Sequence, residues 1–285
     1  MDKITLDAYA KINLFLEVCE KRPDNYHNID SIMHTVSLKD VITVEKCDTI
    51  ILSNNAGLPN DTGNLAYRAA KAFFDHTKIQ GGSSIHIEKN IPISAGLAGG
   101  STDAAAVLKG LNAIYNTELS EDTLCEIGSK LGADVPFCIK GGCFVTQGIG
   151  DEFAECTPLP DCFFVVSKCG EGVSTPYAYG QIDSMRENNF GHLNTSAKMV
   201  YALKTNDLKA VSENIFNIFE NVVCPIRPKV NEQKNIMDQN GAVCSMMSGS
   251  GPSVFGIFNT KKQAEKALSA LIEYGADAHL CKPIK

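Results

Sequence analysis

The 285-residue chain is 44% hydrophobic and 21% charged, a balance that excludes a disordered protein and allows a substantial core in one large domain or two ordinary ones. A formal net charge of −7 argues against broad electrostatic binding to nucleic acid, while a few local positive groups could still hold a phosphorylated ligand. No apolar run is long enough to span a bilayer, and the opening Met1-Asp2-Lys3-Ile4-Thr5 carries no signal pattern, so a cytoplasmic protein with no membrane partner is expected.

The elements follow in chain order. Ile4 to Val18 alternates loosely around Lys11 and Asn13, and Val41 to Leu52 is rich in Ile, Val and Thr, so the chain opens with strands. Asn64 to His76 places Leu65, Ala69, Ala72 and Phe73 on one helical face, and Ser84 to Ile91 alternates as a strand. A helix is expected from near Ser101 to Tyr115, capped by Ser101 or Thr102 with Asp103 in its first turn. A second opens at Ser120 and runs to about Leu131, where Gly132-Ala133-Asp134-Val135-Pro136 interrupts it. Pro158 and Pro160, just before the short strand Phe163 to Val166, mark a boundary between domains at 1–157 and 158–285. Helices at Thr195 to Leu203, Asp207 to Phe219, Lys229 to Gln239 and Lys261 to Tyr274, with strands at Ala242 to Met247 and Ser253 to Phe258, predict helices on one side of an antiparallel sheet. The eleven cysteines are odd in number and scattered without repeated spacing from Cys19 to Cys281. They read as reduced thiols, with no zinc site assigned.

The segment Pro92-Ile93-Ser94-Ala95-Gly96-Leu97-Ala98-Gly99-Gly100-Ser101-Thr102 carries the most chemistry. Gly96, Gly99 and Gly100 free the backbone ahead of an Ala-rich helix, so several N–H groups can point at one anion beside a helix N-terminus. Close helix packing alone would explain one pair of glycines, but three glycines, two hydroxyls and a helix start together favour a phosphate cradle. It is not a Walker A loop, because no lysine precedes Ser101, and it lacks the dinucleotide-binding spacing.

Three further segments join this loop: Ala8-Tyr9-Ala10-Lys11-Ile12-Asn13-Leu14, Gly132-Ala133-Asp134-Val135-Pro136 and Met247-Ser248-Gly249-Ser250-Gly251-Pro252. Together they resemble the signature set of the GHMP small-molecule kinases. Lys21-Arg22-Pro23-Asp24-Asn25-Tyr26-His27 and Gly148-Ile149-Gly150-Asp151-Glu152 narrow the resemblance to members that act on a cytidylylated alcohol. It implies an α+β, two-domain GHMP kinase fold: an N-terminal domain like domain 2 of ribosomal protein S5, with a left-handed βαβ unit, and a ferredoxin-like C-terminal domain. The implied reaction is ATP-dependent phosphorylation of the 2-hydroxyl of 4-diphosphocytidyl-2-C-methyl-D-erythritol, in the non-mevalonate route to isoprenoids.

The resemblance also implies roles. Asp134 would accept or orient the proton of the acceptor hydroxyl, and Lys11 would lie beside it and offset charge on the transferring phosphoryl group. Residues Pro92 to Thr102 would hold the ATP phosphates, Asn64 and Leu65 would touch the adenine side, and Ser101 or Thr102 would be available to Mg²⁺. Tyr26 and Tyr179 would sandwich a cytosine whose edge His27 reads, and Asn13 would meet the diphosphate. Thr175 and Pro176 would frame that pocket, while Gly249, Ser250 and Gly251 would shape the site. Taken alone, each of these residues also has a plainer reading as a turn, cap or core position. Ser94, Ala95 and Ala98 stand where many relatives have glycine, a change that is harmless only if those positions have negative φ. Asn25 replaces a glycine and suits a left-handed conformation. A kinase for mevalonate, homoserine or a sugar, and a nucleotide sensor without transfer activity, are the competing readings.

Overall fold

The computed structural model describes residues 1–187 and 193–285. Two long strands, β1 (Lys3–Lys21) and β2 (His27–Cys47), form a hairpin. In its turn the Arg22 N–H donates to the Tyr26 carbonyl and Asn25 has φ 67°, the left-handed conformation expected of it. Next come β3 (Ile51–Asn54), α1 (Leu65–Thr77), β4 (Gly82–Glu88), α2 (Gly99–Tyr115), α3 (Glu121–Ser129) and α4 (Val135–Lys140). The Asn64 side chain caps α1 by accepting from Ala66 N–H, and Ser120 caps α3 by accepting from Thr123 N–H, each stabilising its helix by about 1 kcal/mol.

The remaining elements are β5 (Cys143–Gln147), β6 (Glu152–Glu155), β7 (Phe163–Lys168), α5 (Thr175–Glu187), α6 (Ala197–Lys204), α7 (Leu208–Ser212), β8 (Phe216–Asn217), α8 (Glu220–Val223), α9 (Pro228–Gln239), β9 (Cys244–Met247), β10 (Val254–Phe258), α10 (Lys261–Glu273) and β11 (Asp277–Cys281).

The chain forms two compact units. They are not the consecutive stretches that a cut at 157/158 would make. One comprises residues 1–10, 38–93 and 98–141, the other 11–37, 94–97 and 142–285, because β1 and β2 are long enough for each to supply a segment to both. In the first unit, β3 pairs parallel with β4, and β4 pairs antiparallel with β2 from Val41 to Cys47. Helix α1 connects β3 to β4, and the alanines of α2 let it pack closely on α1. The core gathers Ala104, Ala105, Val107, Leu108 and Leu111 of α2 with Phe73, Ile85, Ile87, Ile42 and Val44. Burying each of the larger aliphatic side chains contributes roughly 1.5–3 kcal/mol.

In the second unit an antiparallel sheet runs β11-β7-β10-β9. Numbered by their own order in the chain, those strands lie 4-1-3-2, with α9 and α10 packed on them and on each other, which is the ferredoxin-like arrangement expected. The fold class is therefore α+β. In the same unit β5 joins β2 from Ser31 to His34 and pairs with β6, while β8 lies parallel to β1 with Phe216 opposite Phe15.

Two sequence expectations fail here. The helix expected over 207–219 is the short α7, capped by Asp207, followed by strand β8. The buried Asn217 explains the change. Its Nδ2 donates to the carbonyls of Met247 (2.7 Å) and Gly249 (2.8 Å), which holds the chain in extended form beside β1. The helix expected to start near Ser101 under a hydroxyl cap begins at Gly99. Its N-cap is Ala98, and no side chain caps it.

Candidate active site

The phosphate-loop segment leaves β4 over a buried charge cluster. Lys89 bonds both Asp40 and Asp103 (2.8 Å to the latter), and all three side chains are almost wholly buried. Asp40 Oδ1 also accepts the N–H groups of Asn90 (2.6 Å) and Ile91 (2.8 Å), which fixes the direction in which the chain enters the loop. Asp103 Oδ1 has no hydrogen-bond partner among the described residues, and burial with a second carboxylate nearby pushes the Asp103 carboxyl up to about 7.

Within the loop Ser94 (φ 52°), Gly96 (φ 72°) and Ala98 (φ 58°) are all left-handed. The condition of negative φ is not met at Ser94 and Ala98, and a non-glycine residue held there costs about 1 kcal/mol or more. Alternating left-handed residues turn successive N–H groups to one side, an anion-binding concavity. At Ala98 the conformation also starts a helix, since its carbonyl accepts Thr102 N–H at 2.9 Å. The first N–H groups of any α-helix lack intrahelical acceptors, and at α2, among the described residues, no side-chain cap takes them and no acidic residue lies in the first turn. The Thr102 hydroxyl is buried and donates to the Tyr9 carbonyl at 2.8 Å, while Ser101 is half-buried in that first turn.

In the unit that contains residues 94–97, the loop is held from two sides. Lys11 N–H donates to the Leu97 carbonyl (3.2 Å), and Ser248 Oγ donates to the Gly96 carbonyl (3.0 Å). Gly249 N–H in turn donates to Asn13 Oδ1 at 3.1 Å. Gly96 is thus required twice, by its positive φ and by space, because a Cβ there would lie 2.2 Å from the Ser248 carbonyl oxygen. Gly96→Ala is expected to cost at least about 2 kcal/mol of stability and most of the activity. Thermal unfolding and turnover of the variant check this, and a melting temperature and rate equal to those of the parent would contradict it.

Lys11 and Asn13 lie buried on β1, with Lys11 Nζ donating to Asn13 Oδ1 at 2.8 Å. Asn13 Nδ2 donates to Ser31 Oγ (2.9 Å), so three of this amide's four hydrogen-bonding positions serve to hold Lys11, Ser31 and Gly249. In the other unit Asp134 is the half-buried N-cap residue of α4, but its carboxylate makes no cap hydrogen bond. Asn64 is occupied as the α1 cap and as a donor to the Pro59 carbonyl, while Leu65 Cδ1 lies 3.5 Å from where a Cβ would stand on Gly100.

Tyr26 follows Asn25 in the hairpin turn with 62% of its surface exposed. His27 is buried, its ring stacked on that of Tyr179 at 5.0 Å, and Tyr179 meets Phe219 edge-on at 5.0 Å. Thr175 and Pro176 open α5 in exposed positions, and Thr175 Oγ1 bonds Ser250 Oγ at 3.2 Å.

Sequence reasoning missed Asp183, which accepts from His27 Nε2 (2.6 Å) and from Lys21 Nζ (2.8 Å), and also the Lys89–Asp40–Asp103 cluster. It missed Glu17 as well, a fully buried carboxylate paired with Arg186 Nη2 at 2.8 Å. A signal existed for Glu17 and Asp40, since each is a lone carboxylate inside an apolar strand run, where a buried charge needs a partner.

Comparison with known proteins agrees with this picture. Residues 64–142 match the family model described as GHMP kinases N terminal domain, and residues 199–277 match GHMP kinases C terminal. A protein of Caldicellulosiruptor bescii named 4-diphosphocytidyl-2-C-methyl-D-erythritol kinase is 44% identical over 269 residues, covering 93% of each chain. One of the same name from Clostridioides difficile is 43% identical over 268 residues, covering 93% of this chain and 90% of its own. A crystal structure of 4-(cytidine 5'-diphospho)-2C-methyl-D-erythritol kinase superposes with TM-score 0.83 at 32% identity, covering 99% of this chain and all of the other. The mevalonate kinase of Methanococcus jannaschii, at 16% identity and TM-score 0.77 over 99% and 98% of the two chains, shares the fold. By these matches the chain belongs to the GHMP kinase family.

Proposed function

We propose that this protein is an ATP-dependent kinase that phosphorylates the 2-hydroxyl of 4-diphosphocytidyl-2-C-methyl-D-erythritol, in the cytoplasm, on the non-mevalonate route to isoprenoids. The observation that carries the reading is the loop before α2. Left-handed Ser94, Gly96 and Ala98 lead into a 17-residue helix whose N-terminal N–H groups no side chain caps, an arrangement suited to a polyphosphate. Relatives above 40% identity that carry the name of this kinase support the choice of acceptor.

Phosphoryl transfer demands positioning and charge stabilisation more than covalent chemistry. In this reading the loop N–H groups and the α2 dipole hold the ATP phosphates. Asp134, half-buried at the start of α4, accepts or orients the proton of the acceptor hydroxyl. Lys11, held by Asn13 on β1, offsets negative charge on the transferring group. Magnesium, when bound, neutralises phosphate charge, and the Ser101 hydroxyl would hold it together with phosphate oxygens and water.

Cytosine recognition falls to Tyr26, His27 and Tyr179, with Thr175, Pro176 and the Gly249–Gly251 turn beside them. Tyr26→Ala is expected to raise KM for the cytidylyl substrate about tenfold with kcat little changed, since base–aromatic stacking is worth roughly 1–3 kcal/mol. An unchanged KM would remove the stacking role. Cytidine diphosphate should compete with the alcohol substrate and not with ATP. Competition against ATP alone would point to a different acceptor.

A further inference from the structure

Helix α5 grips His27 from two directions. Tyr179 and Asp183 lie four residues apart on one face of the helix. Tyr179 stacks on the His27 ring (5.0 Å, planes 27° apart), and Asp183 Oδ1 takes the proton-bearing edge at Nε2, 2.6 Å away. Further along the helix, Arg186 docks on β1 by donating to the carbonyls of Cys19 (2.7 Å) and Val18 and to Glu17. Burial works against charge on Asp183, but the bonds from Lys21 and His27 outweigh it and hold the carboxyl below its usual range. At neutral pH Asp183 is therefore an acceptor only, and His27 Nε2 must donate to it.

We propose that Asp183 is the positioning residue for base selectivity. It fixes His27 in the Nε2–H tautomer, which leaves Nδ1 as an acceptor that suits the exocyclic amine of cytosine and rejects the carbonyl oxygen of uracil. The inference rests on the proposed cytidylyl substrate and deepens it. Nδ1 has no protein partner among the described residues, so it is available to a ligand. His34 supplies an internal contrast, since its Nδ1 donates to the Thr35 carbonyl (2.8 Å) and its Nε2 accepts Leu159 N–H (3.1 Å), the opposite tautomer.

The test uses the full chain with ¹⁵N-labelled histidine, His27 being assigned from the spectrum of His27→Gln. The expected pattern is a proton on Nε2 of His27 and on Nδ1 of His34, and a His27 signal carrying its proton on Nδ1 would overturn the proposal. Binding of cytidine and uridine diphosphates is then compared in the presence of a saturating ATP analogue. Wild type should prefer the cytidine form by about tenfold or more. Asp183→Asn, which can donate to Nε2 and reverse the tautomer, should erase most of that preference, and Asp183→Glu should recover part of it. Equal weakening of both nucleotides in Asp183→Asn would reduce Asp183 to a structural ion pair and refute the proposal. Failure of wild type to phosphorylate the cytidylyl alcohol, with the tautomer and the cytidine preference intact, would remove the proposed reaction and leave this inference standing.

Discussion

Asp134→Ala is expected to lower kcat about 1,000-fold, with KM for ATP changed less than about twofold. General acid–base assistance contributes roughly 10²–10⁴ in rate, and it acts on the acceptor hydroxyl, not on the nucleotide. The Asp134 carboxylate makes no cap hydrogen bond to α4, so its removal takes no cap from that helix. Steady-state kinetics with both substrates varied, beside a thermal melt, separate the outcomes. A variant that melts normally and turns over at a tenth of the parent rate or better would show that Asp134 is not the group that handles the proton.

Lys89→Met is expected to destabilise the protein by about 3–5 kcal/mol, the cost of leaving buried charge uncompensated. Lys89 is the cation that both Asp40 and Asp103 bond, and Asp40 in addition fixes the backbone of Asn90 and Ile91 at the entry to the phosphate loop. The deficit should depend on pH. Asp103 is held up to about 7 in the folded protein against 3.8 as a free side chain, so its protonated form is favoured by folding. That contribution is complete below about pH 4 and is lost as pH rises through 7. Without Lys89 the Asp103 carboxyl is harder still to ionise, so denaturant melts should show a larger deficit at pH 8 than at pH 5. A deficit under 1 kcal/mol at both values would mean that the cluster is hydrated and carries little of the fold.

The sequence was most legible where one local signal dominates. Three glycines ahead of an alanine run located the loop and α2, and the apolar and helical runs at β7, β9, β10, α9 and α10 led to helices on one side of an antiparallel sheet, while its ferredoxin-like arrangement came from the family resemblance. It was least legible where a tertiary partner overrides local preference. Asn217 leaves a helical-looking run to bond the Met247 and Gly249 carbonyls, and Ala98 takes a left-handed conformation that nothing in an alanine announces. The Asp183–His27 and Lys89–Asp103 pairs join residues 156 and 14 positions apart, so they leave no local spacing to read. The roles of Lys11, Asn13 and Asp134 came through the family resemblance, since each alone passes for a strand or turn residue.

The most direct test is to incubate the purified protein with ATP, Mg²⁺ and 4-diphosphocytidyl-2-C-methyl-D-erythritol and follow the reaction by phosphorus NMR, with mevalonate and homoserine in parallel. The account predicts one new phosphomonoester signal on a product that keeps its cytidine diphosphate group, one ADP formed for each, and no product from the other two alcohols. Phosphorylation of mevalonate or homoserine with the cytidylyl alcohol untouched, or no transfer to any of the three, would contradict it.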